Sequence, residues 1–124
     1  MTITITVFAP GKFLNSNDRL HRMAQAKLTK QWRTTAAQAS VGFLPMGTPV
    51  HITAHVWKKR AGRYDVGNLY PTVKACVDGF VDGGILVDDS NAHVIGPDLR
   101  HGGKGEPHII FTITPINQEG GHVG

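Results

Sequence analysis

The stretch 50–84, VHITAHVWKKRAGRYDVGNLYPTVKACVDGFVDGG, decides the fold. Val50, Ile52, Ala54 and Val56 alternate with His51, Thr53, His55 and Trp57, the period-two pattern of a half-buried strand. From Asn68 to about Asp82 the period becomes helical. Val73, Cys76, Val77 and Phe80 fall on one side, while Lys74, Asp78 and Asp82 follow at i, i+4 and i+8 along an adjacent edge. Asn68 suits an N-cap, Pro71 is tolerated in a first turn whose amides lack intrahelical partners, and Gly83-Gly84 stops the helix.

Outward from this unit, Thr2 to Phe8 alternate as a strand with Ile3, Ile5 and Val7 on one face. Residues 9–18, APGKFLNSND, read as a loop, with Asp18 placed to cap the next helix. That helix runs from Arg19 to about Ala39. Leu20, Ala24, Leu28, Trp32, Ala36 and Ala39 share one side; Arg19, Arg22, Lys30 and Arg33 fall roughly opposite. His93 to about Gly96 reads as a strand, Arg100 to Gly105 as a flexible basic turn, and His108 to Thr114 as a last strand with Ile109, Phe111 and Ile113 inward. The order predicts an α+β fold, a mixed β-sheet with two main helices packed on one face. One domain over 1–116 is expected, followed by a flexible tail over 117–124.

Charge divides unevenly. Residues 1–64 carry ten Lys/Arg and one acid, Asp18; residues 65–124 carry three Lys/Arg and eight acids. Five acids, Asp65, Asp78, Asp82, Asp88 and Asp89, fall in one window of 25 residues. Solvated helix faces normally mix signs, so an acid-free basic stretch from Arg19 to Arg63 points to an anionic partner. Grouped carboxylates beside it suit a hard divalent cation, Mg²⁺ or Mn²⁺, placed on a polyanion such as nucleic acid. No run is apolar enough to cross a membrane, and the alternating N-terminus is a strand and not a signal peptide. The lone cysteine, Cys76, excludes an intramolecular disulfide and fits a reducing cytoplasm.

A turn after the second helix would return Asp88 and Asp89 toward Asp65 and Asp78. Lys74, one turn before Asp78, would stabilise charge building on a phosphate. The alternatives at these positions are helix-surface charges, an i,i+4 ion pair between Lys74 and Asp78, or a carboxylate cap.

The run D65-V-G-N68-L-Y-P-T-V-K74-A-C-V-D78-G-F-V-D-G-G-I-L-V-D88-D89 resembles the signature of the RusA family of Holliday-junction resolvases, in its phage and actinobacterial branch. The loop A9-P-G-K-F-L-N15-S-N17-D and the strand H93-V-I-G extend the resemblance. It implies a homodimeric endonuclease that binds four-way DNA junctions, requires Mg²⁺ or Mn²⁺, and nicks two opposed strands symmetrically. On that resemblance Asp65 and Asp89 match metal-binding aspartates, with Asp88 beside the latter. Lys74 matches the catalytic lysine, Asp78 the acid one turn on, and Asn68 the Asn at the helix start. One position departs: Gly67 stands where other members carry a second aspartate, and Asn68 and Lys74 are spaced further apart. Asp78 is the candidate replacement ligand; without one, the protein would bind junctions and not cut them.

DNA contact is expected from Asn15, Asn17, Arg19 and His21, from the basic face Arg22, Lys30 and Arg33, from Lys58, Lys59, Arg60 and Arg63, and from Asn68. Arg100, His101 and Lys104 are further candidates for phosphate. Phe13 and Leu14 read as core packing or as a wedge into a junction, and Trp57 and Tyr64 as sheet packing or base stacking. His51 and His55, ~13 Å apart on a strand and too far to share one metal, read as surface or interface residues. Asp82 reads as a solvated acid near the helix end.

Overall fold

The computed structural model of the protein describes residues 1–46, 49–60, 64–88 and 93–116. The expected tail over 117–124 lies outside them, as do Arg63 and Asp89. Strand β1 (Ile3–Phe8) leads to helix α1 (Arg22–Ala39), strand β2 (Val50–Lys58), a 3-10 turn (Val66–Leu69), helix α2 (Tyr70–Asp82), and strands β3 (Val94–Lys104) and β4 (His108–Pro115). The sheet order is β1-β4-β2-β3. β4 pairs antiparallel with both β1 and β2, and β2 pairs parallel with β3. The sheet is therefore mixed, and α2 is the crossover that carries the chain back to begin the parallel strand.

The alternation read from sequence sets the core. Ile5, Val7, Val50, Ile52, Ala54, Val56, Ile109, Phe111 and Ile113 are all at most 1% exposed and face the helices. Trp32 and Ala36 of α1 and Val73, Cys76, Val77 and Phe80 of α2 meet them in one cluster. Phe80 stands edge-on to Phe111 with ring centres 5.0 Å apart, a favoured aromatic geometry. The helices pack closely at Gly79, where a Cβ would lie 2.2 Å from the Arg33 carbonyl oxygen. Only glycine fits there.

Four local expectations change. The segment 100–104 is not a turn: it continues β3 along β2, ending at Lys58 opposite Lys104. Its composition carries no strand period, and the free edge of β2 orders it. Gly102 is needed because a Cβ there would enter the Trp57 ring, 2.3 Å from Cε3. Helix α1 starts at Arg22, capped by His21, whose Nδ1 accepts from Met23 N at 3.2 Å. Asp18 instead pairs with Lys12 at 3.3 Å. Asn68 is not a cap but a residue of the 3-10 turn, whose N-cap is Asp65. Finally, Asp82 is exposed yet bonded to Arg33, its oxygens 2.5 and 2.9 Å from the guanidinium.

Candidate nucleic-acid and metal site

The parallel pair β2–β3 sets one end of the molecule apart, because open sheets gather ligands outside the carboxyl ends of parallel strands. At that end lie Lys58, Lys59 and Arg60 after β2, Tyr64 and Asp65 before the 3-10 turn, and Lys104 at the end of β3. Lys58 Nζ sits 4.2 Å from the centre of the Tyr64 ring, within cation–π reach. Tyr64 in turn meets His101 edge-on at 4.6 Å. Partial burial raises the Tyr64 phenol above its ordinary pKa, so it stays a neutral hydrogen-bond donor.

The loop between β1 and α1 is fastened to this end. Leu14 N donates to Thr72 Oγ1 and that hydroxyl donates to Leu14 O, each at 2.7 Å. Ser16 N donates to Asn68 O at 2.8 Å, and Trp32 Nε1 donates to Lys12 O at 2.9 Å. Asn15, Asn17 and Asn68, distant in sequence, therefore come together. The Asn15 side chain accepts from Asn17 N at 2.8 Å, closing a local turn. Leu14 is buried and Phe13 stacks on Trp32, ring centres 5.3 Å apart. Both residues pack the core, which decides against the wedge. A cleft of about 450 Å³ opens between this loop and β2, lined by Lys12, Asn15, Asp18 and Lys58 over Phe13 and Leu69. Lys12 is a cation at this cleft that the sequence did not single out; nothing in its spacing marks it.

The Asp65 carboxylate accepts from Gly67 N at 2.9 Å. A Cβ at Gly67 would lie 3.1 Å from Asp65 Oδ1, so an acid at position 67 would stand directly against Asp65. Along α2, Lys74 Nζ donates to Asp78 Oδ1 at 2.6 Å, with both side chains partly exposed. Asp88 is placed differently. Helix α2 spans 13 residues, about 18 Å from first to last Cα, and the turn after it lies at the amino ends of β2 and β3. Met46 N bonds Ile85 O and Val50 N bonds His93 O, each at 2.8 Å. The crossover has to deliver the chain to the start of β3. The turn carrying Asp88 thus sits at the opposite end of α2 from Asp65.

Carboxylate oxygens are the right donors for Mg²⁺ or Mn²⁺. Among the described residues, however, no three His, Cys, Asp or Glu side chains gather as a metal-holding group. Asp65, Asp78 and Asp88 of one chain do not by themselves fit the ion.

On α1, Arg22 and Lys30 are exposed on a shallow groove of about 470 Å³ that Arg33 also lines. Arg19 is exposed just before the helix. The Arg33 hydrogen bond holds the Asp82 carboxyl below the usual carboxylate range, so part of the basic face is internally neutralised. Cys76 is buried and its thiol is pushed up by desolvation, which makes it core and not a nucleophile. His51 Nε2 lies 2.6 Å from Asp98 Oδ2, a pair between β2 and β3 that residue spacing did not reveal. No described helix is long and apolar enough to cross a membrane. A scan against protein-family models found no match, and a search of curated proteins found no relative.

Proposed function

We propose that this protein is a structure-selective DNA endonuclease of the RusA type, resolving four-way junctions by paired symmetric nicks as a homodimer with Mg²⁺ or Mn²⁺. The observation that carries this reading is the fastening of the Asn15–Asn17 loop to the Asp65–Lys74 segment through Leu14, Ser16, Asn68 and Thr72. It sets the Asn15 amide and the ammonium groups of Lys12 and Lys58 around one cleft, at the end of the sheet where Asp65 precedes the 3-10 turn. In this reading Lys12, Lys58, Lys59 and Arg60 hold one DNA arm by its phosphates, and Arg19, Arg22 and Lys30 hold another. Lys74, oriented by Asp78, stabilises negative charge on the scissile phosphate. Asp65 of one chain, with Asp88 and Asp89 supplied by the other chain of the dimer, are the acids of the site.

A second reading, a junction-binding protein without nuclease activity, is favoured by Gly67 and by the absence of a three-donor group among the described residues. A synthetic four-way junction, incubated with Mg²⁺ or Mn²⁺ and with EDTA, separates the two. Metal-dependent paired nicking supports the nuclease. Tight junction binding with intact strands in every condition overturns it in favour of the second reading.

A further inference from the structure

The helices cover one face of the sheet; the register fixes what the other face presents. Its first cross-strand row is Phe8 on β1, His108 on β4 and Trp57 on β2, ending at Gly103 on β3. The next row is Thr6, Ile110, His55 and Arg100, and the one after it Thr4, Thr112, Thr53 and Asp98. Phe8 and Trp57, the large rings of this face, thus stand in its first row, at the end of the sheet that carries the proposed DNA cleft.

The rings form a continuous platform. Phe8 and His108 are 5.6 Å apart between centres. His108 and Trp57 are stacked at 4.8 Å and 11°, and His55 follows Trp57 at 6.5 Å. The platform is preorganised, because Trp57 lies over Gly102 with no room for a side chain beneath it. Phe8 is 61% exposed. His108 Nδ1 is 2.6 Å from the Glu106 carbonyl oxygen. A carbonyl only accepts, so Nδ1 carries the proton and Nε2 is left to meet a ligand.

The surrounding charge selects the occupant. Lys58, Lys59, Arg60, Arg100 and Lys104 lie at the adjoining ends of β2 and β3, whereas the described acids of that end are Asp18, paired with Lys12, Asp65, on the helix side, and Glu106. Exposed rings with cations beside them suit bases that stack and phosphates that follow. We propose that the outer end of this row is a stacking site for unpaired bases of single-stranded DNA, which passes round the β2 end from the cleft at Lys58 to the exposed ring of Phe8, backed by His108 and Trp57. The platform stands on the sheet geometry and goes beyond the nuclease reading.

The test is fluorescence anisotropy of labelled oligothymidylate with wild type, Phe8→Ala and Phe8→Tyr, alongside sedimentation of each variant. Phe8→Ala is expected to weaken oligothymidylate binding about tenfold, Phe8→Tyr to restore it, and the oligomeric state to stay unchanged. Equal affinity in wild type and Phe8→Ala overturns the proposal. So does a Phe8→Ala variant that loses affinity only by changing its oligomeric state, which would assign the face to a second copy of the chain. If Phe8→Ala does not fold, Phe8→Leu keeps the apolar bulk and removes the ring: a loss of oligothymidylate affinity supports the platform, and wild-type affinity overturns it. A wild type that binds oligothymidylate through Phe8 yet never nicks a junction overturns the nuclease alone.

Discussion

Leu14 and Thr72, separated by 58 positions, exchange two hydrogen bonds of 2.7 Å in a buried setting. One hydroxyl satisfies both the N–H and the carbonyl of a loop residue that has no strand or helix to pair with. Thr72 is fully buried, so the bonds join the first loop to the start of α2 without competition from water.

Thr72→Val keeps the shape and removes the hydroxyl. It leaves both Leu14 groups buried and unpaired, at about 1–3 kcal/mol each in typical cases. The expected result in urea unfolding is a lower midpoint with an unchanged slope, together with weaker junction binding because Asn15 and Asn17 lose their anchor. Thr72→Ser is expected to recover most of both.

Gly79→Ala tests close packing of the helices. Alanine raises helix propensity by about 1 kcal/mol, but the added Cβ would lie 2.2 Å from a backbone oxygen of α1. Backbone does not yield as a flexible side chain does, and overpacking typically costs about 1–3 kcal/mol or more. The clash decides the sign: a lower melting temperature is expected in calorimetry.

Arg33 and Asp82 give an acid-side signature. The folded carboxyl titrates below its unfolded value of 3.8, chiefly through the Arg33 hydrogen bond. Its stabilising contribution is therefore present above 3.8 and lost as pH falls through the lower folded value. The pair is exposed, so the effect is small and screened by salt. Asp82→Asn is expected to melt slightly below wild type near about pH 6, with the difference closing as pH falls through the folded value. Melting curves across that range check it.

Salt dependence sorts the basic residues. Each lost phosphate contact lowers the slope of log affinity against log salt by about 0.9. Lys58→Ala and Arg22→Ala are each expected to lower it by about that amount. Lys12→Ala and Arg33→Ala are expected to lower it less, because Lys12 is already paired with Asp18 and the Arg33 guanidinium with Asp82. Junction titrations at several salt concentrations measure all four.

The opposite placement of Asp65 and Asp88 on α2 makes a prediction for the proposed dimer. If both acids serve one nuclease site, one chain supplies Asp65 and the other Asp88. Asp65→Asn and Asp88→Asn should each abolish nicking and retain junction binding. A mixed dimer of the two variants then holds one intact site and is expected to nick a single strand. Failure of the mixture to nick, with each variant inactive alone, rejects a site shared between chains.

What the sequence determined is what depends on local periodicity. The alternation at 3–8, 50–57 and 108–114 and the helical spacing through Trp32–Ala36 and Val73–Phe80 were legible because burial repeats at the period of the element itself. The identity of the acids, of Lys74 and of Gly67 was equally legible, since chemistry belongs to the residue type. Residues 100–104 carry no period, and only the open edge of β2 and the Trp57 ring make them a strand. Asp65 rather than Asn68 caps the turn because the chain enters as a 3-10 turn before α2 begins. The meetings of Leu14 with Thr72, Arg33 with Asp82 and His51 with Asp98 depend on how sheet and helices dock. The same docking sends Asp88 to the far end of α2. A turn read along the chain has no direction in space until the crossover must reach the next parallel strand, and that requirement exists only in the folded sheet.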